Sequence, residues 1–370
     1  MSAPTAPTTT NQDEHAGRKR TIRIVQALLS LAIVVAIFAF AIPKIADYGK
    51  VWAILTRLTW QELALLVAAT LFNLVTYWPQ TVASLPGLTL GQAAVNNQTT
   101  TSIANTVPGG GVVAIGVSYA MLRSWGFPTA AIALSTLLTG IWNSFTKLAM
   151  PIVAVALLAL SGGGTVALLV PALIGLAALL TAVVAFGLLM WKKALARRIG
   201  TALGTAATWL RRLVRKPPVG DWGEAAVRFR RRSNDLVASR WPALTISTLV
   251  SHIGLYLLFL LSIRLVGITA AQVSWAEVLG IFSLGRLITA APITPGGVGV
   301  VELTYIAGLV LAGGSGVRAQ AVAASLLFRL LTYGFQIPLG GITYLIWQRK
   351  KSWRKPQHPE EAAPVAAPSA

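Results

Sequence analysis

Long apolar stretches recur along this 370-residue chain, and their lengths set the first expectation. Uninterrupted runs lie at 24–42, 63–85, 128–160, 165–191, 241–266 and 317–347. Each reaches the roughly 20 residues that a helix needs to cross the hydrocarbon layer of a bilayer. Two further apolar regions, 91–122 and 275–314, are each cut near the middle by proline and glycine. The pattern predicts an all-α, polytopic integral membrane protein with about six full transmembrane helices. To these it adds two re-entrant or broken helical hairpins, arranged with their neighbours as an inverted repeat. Counting each hairpin arm as a full span gives ten crossings and the same sidedness.

The later break carries most of the chemical interest. It reads Pro292-Ile293-Thr294-Pro295-Gly296-Gly297-Val298-Gly299-Val300-Val301-Glu302. Proline lacks a backbone donor and clashes with the preceding turn, so the incoming helix is expected to end near Ala291. Glycine opens backbone angles closed to other residues, and a second half-helix is expected to start near Val298. Irregular backbone at membrane depth survives only where it is buried in protein or lines a wet cavity. A helix start there aims unpaired N–H groups and a partial positive charge at whatever lies in front of it. Gly296, Gly297 and Gly299 are therefore candidate substrate-binding positions. Arg286 falls about two turns before the break and Glu302 one to two turns after it. Intramembrane charges are costly and usually mark a pathway or a site. A packing kink with a buried ion pair is the plainer alternative.

The earlier break repeats the pattern more weakly, as Pro108-Gly109-Gly110-Gly111. The helix before it is unusually polar, and Asn97, Thr101 and Asn105 recur at i, i+4 and i+8 on one face. Gly109, Gly110 and these three residues complete the candidate face. A separation of 187 residues relates Pro108 to Pro295 and also Pro151 to Pro338. Two units of span, broken hairpin and proline-bearing span follow, at 63–160 and 241–347. The first begins running inward and the second outward, the arrangement of transporters whose sites lie between repeats at half-helix ends.

Composition sharpens the reading. Only 11% of residues are charged, against roughly 25% in a soluble domain. The net charge is nevertheless +20, and it is unevenly placed. Residues 192–240 hold thirteen Lys or Arg against three acids. Positive-inside topology and attraction to anionic lipid account for that excess, so nucleic acid is not an expected partner. The expected partners are membrane lipids and anionic lipid head groups. Twenty-three basic residues fall on the proposed cytoplasmic side and five outside, which puts both termini in the cytoplasm of a multi-pass plasma membrane protein. Tails at 1–23 and 348–370 have the composition of disordered segments, and 43–62 that of an interfacial helix. The basic segment reads as helices lying on the leaflet. There is no cysteine, and two of the three histidines, His15 and His358, lie in the tails, so no metal site, cofactor or catalytic residue is expected.

With these residues in view, the chain resembles the flippase-like family related to the membrane region of lysylphosphatidylglycerol synthase. The resemblance spans roughly residues 24–347. It rests on a PGGxGxxE-type motif, here Pro295 to Glu302, on Arg329 in the following span, and on Asn105-Thr106-Val107-Pro108 followed by glycines. Lys147 stands where the family more often has arginine with an acid. The resemblance implies lipid handling without the lysyl-transfer chemistry, because no large soluble aminoacyltransferase domain follows Trp347. The expected function is therefore translocation of an anionic phospholipid or phosphate-linked lipid across the cytoplasmic membrane. Half-helix starts would cradle the head group, Arg286 and Arg329 would balance its charge, and Glu302 would pair with an arginine or accept a proton. A membrane-embedded lipid-modifying enzyme, a secondary transporter of a small anion and a scaffold recruiting partners through its basic segment are the competing readings.

Overall fold

The computed structural model describes residues 42–45, 47–106, 110–160, 166–213, 217, 220–289 and 297–355. The expected first span, the tail before it and the tail after 355 lie outside the described residues, as do both proline breaks themselves. Every regular element among the described residues is helical. Five helical stretches are long and apolar enough to cross a membrane: Trp60–Ser84, Thr129–Leu160, Leu173–Trp191, Trp222–Leu265 and Ser315–Arg349. They correspond to the second through sixth spans read from the sequence.

After a single turn at Ile42–Ile45, α1 (Tyr48–Leu55) starts where the Asp47 carboxylate accepts the Gly49 and Lys50 N–H groups. It is more than an interfacial helix. Trp52 faces outward, but Val51 is buried in the core against the helix Arg318–Arg329. The span that follows is two helices, α2 (Trp60–Thr76) and α3 (Trp78–Ser84), joined at Tyr77. Pro79 sits in the first turn of α3, where its missing donor costs least.

The first hairpin is α4 (Leu90–Thr106) and α5 (Gly110–Ser124), and α6 (Thr129–Leu160) follows with Pro151 inside it. The second is α10 (Trp275–Ile288) and α11 (Val300–Gly313), followed by α12 (Arg318–Arg329) and α13 (Gln336–Arg349). The order helix, break, helix, proline-bearing span thus occurs twice. Capping boxes fix three of the starts: Thr59 with Glu62 at α2, Thr89 with Gln92 at α4, and Ser274 with Glu277 at α10. Each satisfies donors that hydrocarbon would leave exposed.

The last span is not one regular helix. A five-residue π segment, Leu330–Gly334, separates α12 from α13 directly after Arg329. Pro338 has no N–H to give the Gly334 carbonyl, and its ring crowds that carbonyl, so the ladder is already broken there. Around this span, Phe259, Phe282, Tyr305 and Phe328 form one aromatic core, with Phe259 4.4 Å from Tyr305 and 4.9 Å from Phe328 between ring centroids.

One tail expectation needs correction. The segment at 348–355 is not free: Lys355 N–H donates to Ser124 O at 3.1 Å, and the Trp353 ring meets Trp125 edge-on at 5.6 Å. It packs on the turn between α5 and α6. The basic segment is helical, as expected, and forms a hairpin. After α7 (Val166–Trp191), α8 (Lys193–Leu213) packs antiparallel to the start of α9 (Trp222–Leu265). Gly200 lies so close to Trp222 that a Cβ there would meet its carbonyl at 2.3 Å. Arg197 pairs with Glu224, and Arg230 Nη2 donates to Trp191 O at 2.7 Å. The 44-residue α9 carries Pro242 between its basic first half and its apolar second half, a position where helices kink.

That geometry separates the arginines of the hairpin. Arg231 and Arg232 are exposed, whereas Arg230 staples α9 to the end of α7. Neutralising Arg231 and Arg232 should weaken attraction to an anionic leaflet by about 1 kcal/mol per charge at low salt, and less at high salt. A fluorophore at Thr205, quenched by labelled head groups in anionic and zwitterionic nanodiscs, reports it. Quenching that is indifferent to these charges and to salt would refute the electrostatic contact.

Candidate functional site

The second break is built from its flanks. Helix α10 closes with Thr289 N–H on Gly285 O, which leaves Arg286 in its last turn and ends the helix short of the expected Ala291. Pro292, Pro295 and Gly296 lie outside the described residues. Gly297 and Gly299 then adopt φ of +70° and +88°, angles that L side chains avoid. Helix α11 therefore starts at Val300, two residues later than expected, with Gly299 as its N-cap. Glu302 is consequently in the first turn of α11, not one to two turns along it.

That shift changes what the half-helix start can do. Glu302, 2% exposed, accepts the Gly299 N–H on Oε2 at 2.6 Å and Arg329 Nε on Oε1 at 2.7 Å. A carboxylate thus already occupies the positive end of α11, where an anion is best stabilised. Arg329 also lies 4.7 Å above the Tyr333 ring, and the Tyr333 hydroxyl donates to Asn105 O at the end of α4. A continuous line of Gly299, Glu302, Arg329, Tyr333 and Asn105 ties the second break to the first. Tyr333 escaped the sequence reading, although an aromatic residue four positions after an arginine places both on one helix face.

At the first break, Gly109 lies outside the described residues, but Gly110 is buried against the chain before it. A Cβ at Gly110 would lie 2.5 Å from Ile103 O and 2.7 Å from Ala104 O. Only glycine lets the two half-helices approach so closely. The polar face Asn97, Thr101 and Asn105 is half-buried. The neighbouring polar face of α4 is used for packing: Thr99 Oγ1 meets Thr343 Oγ1 at 2.9 Å and Ser102 Oγ donates to Ile337 O at 3.0 Å. Gly340 of α13 fits directly over Ser102.

A second polar group lies beyond Tyr305. Helix α6, with Lys147, packs on α10, with Arg286, and on α9, with His252. A chain of amides leads to this group from one side: Asn143 Nδ2 donates to Gln80 Oε1 at 3.2 Å, and Gln80 Nε2 to Thr248 Oγ1 at 2.6 Å. The structure therefore divides the sequence-derived candidates. Glu302, Arg329, Gly299 and Asn105 belong to one bonded group, and Arg286 lies apart from it on a helix packed against those of Lys147 and His252. No sequence spacing joins residues 147, 252 and 286; only the packing of three helices does.

The interior charges can now be assigned. Arg329 is satisfied by Glu302, and the six other described acids lie outside the apolar layer or at helix starts. Lys147 and Arg286 face no carboxylate among the described residues. This architecture has a counterpart among known proteins, for residues 27–340 match the family described as Lysylphosphatidylglycerol synthase TM region. The chain belongs to that family. The match takes in both breaks, Lys147, Arg286, Glu302 and Arg329, so membership of the Lysylphosphatidylglycerol synthase TM region family covers the whole candidate site. It identifies a multi-pass membrane protein linked to lipid handling. No curated protein matched the chain.

Proposed function

We propose that this protein translocates an anionic, phosphate-bearing lipid across the plasma membrane and performs no covalent chemistry on it. The observation that carries the reading is the charge imbalance of the interior. Lys147 and Arg286, on packed helices, form no ion pair among the described residues, while the interior acid is held by Arg329 and Gly299. Uncompensated cations in a poorly screened interior are costly, and a passing anion relieves that cost. Both Glu302 oxygens are engaged by donors in this conformation, which favours carriage over catalysis. The Glu302–Arg329 pair then acts as a latch between the two breaks, opened as the head group passes.

A secondary transporter of a small anion would use the same cations. Reconstitution separates the two: sulfate and phosphate flux and the transbilayer movement of labelled lipids are measured in one proteoliposome preparation. Lipid movement without solute flux is expected; solute flux alone would replace the lipid reading.

The orientation is equally open to measurement. Single cysteines can be added to a chain that has none. Positions in 200–235 and after 352 should react with impermeant reagent only from the cytoplasm, and positions 161–164 only from outside. Reaction of the basic hairpin from outside in intact cells would reverse the orientation and remove the basis for two inverted units.

A further inference from the structure

The outward face of α13 carries a pattern that transport leaves unused. Ile342, Leu345, Ile346, Arg349 and Lys350 line one cleft of about 380 Å³, within the size range of small-ligand sites. They stand at i, i+3, i+4, i+7 and i+8, a single stripe along the helix. The stripe is apolar over its first turn and cationic at its end. Gly340 and Thr343 are buried against α4 on another face, while Ile342 and Leu345 stay 56% and 50% exposed. Arg349 closes the crossing stretch Ser315–Arg349, so the apolar turn lies in hydrocarbon and the cations lie at the head groups. Tyr344 and Trp347, with ring centroids 5.5 Å apart, mark the same boundary, where amphipathic rings settle.

The end of the cleft is anchored. The chain leaves helical geometry at Lys350, with φ −81° and ψ +70°, and a 3₁₀ turn follows at Lys351–Trp353. That turn brings the Trp353 ring against the Lys350 ammonium, with Nζ 4.3 Å from the ring centroid. Trp353 meets Trp125 edge-on at 5.6 Å, and Trp347 Nε1 donates to Ser124 Oγ at 3.0 Å. Neither Arg349 nor Lys350 forms an ion pair among the described residues. An apolar cleft in hydrocarbon, ending in two cations at head-group depth, complements one molecule of anionic phospholipid. Its acyl chain lies on Ile342, Leu345 and Ile346, and its phosphate takes Arg349 and Lys350. A zwitterionic lipid brings the same phosphate but also a cation of its own. A partner helix would have to bring acids to that boundary, whereas an anionic leaflet supplies them.

We infer that this cleft binds one anionic phospholipid, drawn from the bilayer and retained on α13 rather than carried across. Its phosphate bridges Arg349 to Lys350 and braces the segment after α13 against the turn between α5 and α6. The site lies apart from the Glu302–Arg329 pair and stands whichever lipid is transported. Native mass spectrometry of the whole protein in detergent, titrated with phosphatidylglycerol or phosphatidylcholine, counts the lipids retained and gives their affinities. Wild type should hold one phosphatidylglycerol under activation that strips phosphatidylcholine. Arg349→Gln combined with Lys350→Gln should weaken that lipid roughly tenfold or more. Leu345→Asn should weaken it with no loss of charge. Trp353→Leu should weaken it in part by releasing Lys350, and Trp353→Phe should restore most of the loss. Arg231→Gln combined with Arg232→Gln removes the same charge elsewhere and should leave the lipid in place. Glycerophosphoglycerol, the head group without chains, should not displace it. Equal retention of the two lipids, equal weakening by the two double variants, or displacement by the chainless head group would overturn the site. A lipid-free dimer that survives the change at Arg349 and Lys350 would also overturn it, because a second copy of the chain would then cover the cleft.

Discussion

Glu302→Gln should destabilise the protein by about 3–5 kcal/mol, the usual cost of breaking a buried ion pair from one side. The side chain of Arg329 is only 14% exposed and that of Glu302 only 2%. Glutamine keeps the shape and can still accept the Gly299 N–H, so the capped start of α11 need not collapse. What it loses is the charge that balances Arg329, and the guanidinium is left with its cation–π contact to Tyr333 as the main compensation. Arg329→Gln alone should destabilise for the mirror reason. The double change removes both charges and should recover most of the stability, since neutral partners carry no uncompensated charge. Chemical denaturation in a fixed detergent gives the stability of all four proteins. Transport separates the roles: a pair that is only structural returns to full activity in the double variant. If the pair is the latch that couples the two breaks, stability returns and transport does not.

The second large effect is expected at Gly297. Its φ of +70° already excludes most side chains, and a Cβ there would sit 2.7 Å from Val301 Cγ2. Gly297→Ala should cost about 1–3 kcal/mol from backbone strain alone. Gly297→Leu adds a side chain beside the first turn of α11, and transport should be lost even where the purified protein stays folded. Gly110→Ala tests the same idea at the first break, because backbone oxygens of Ile103 and Ala104 would have to move aside. Gly111→Ala is the control, for a Cβ there meets nothing within 4 Å. Near wild-type transport in Gly297→Leu would remove the break from the substrate path.

Much of this was legible in the sequence because hydrocarbon imposes simple rules. A span must be long, apolar and helical, so the six runs and the two interrupted regions could be read by length, and five of the runs fall among the described spans. The breaks could be read because proline and glycine have backbone chemistry of their own. The boundaries moved because side chains intervene: Glu302 reaches back to Gly299 and sets the start of α11 at Val300. That local contact was within reach, as glutamate three residues after a cap is a known pattern. The packing of the helices that carry Lys147, His252 and Arg286 was not, since no sequence spacing relates α6, α9 and α10. The docking of Trp353 on Trp125 was equally hidden, because a tail of that composition gives no sign of its partner.

The most direct test of the account is the head-group dependence of lipid movement in proteoliposomes of the wild-type protein. Tail-labelled lipids with anionic and zwitterionic head groups are compared through an impermeant quencher that reports the fraction in the outer leaflet. An interior with two unbalanced cations predicts that anionic lipid becomes fully accessible well ahead of protein-free vesicles, while zwitterionic lipid moves no faster than in their absence. Equal movement of both lipids, or movement of neither in a folded preparation, would contradict it.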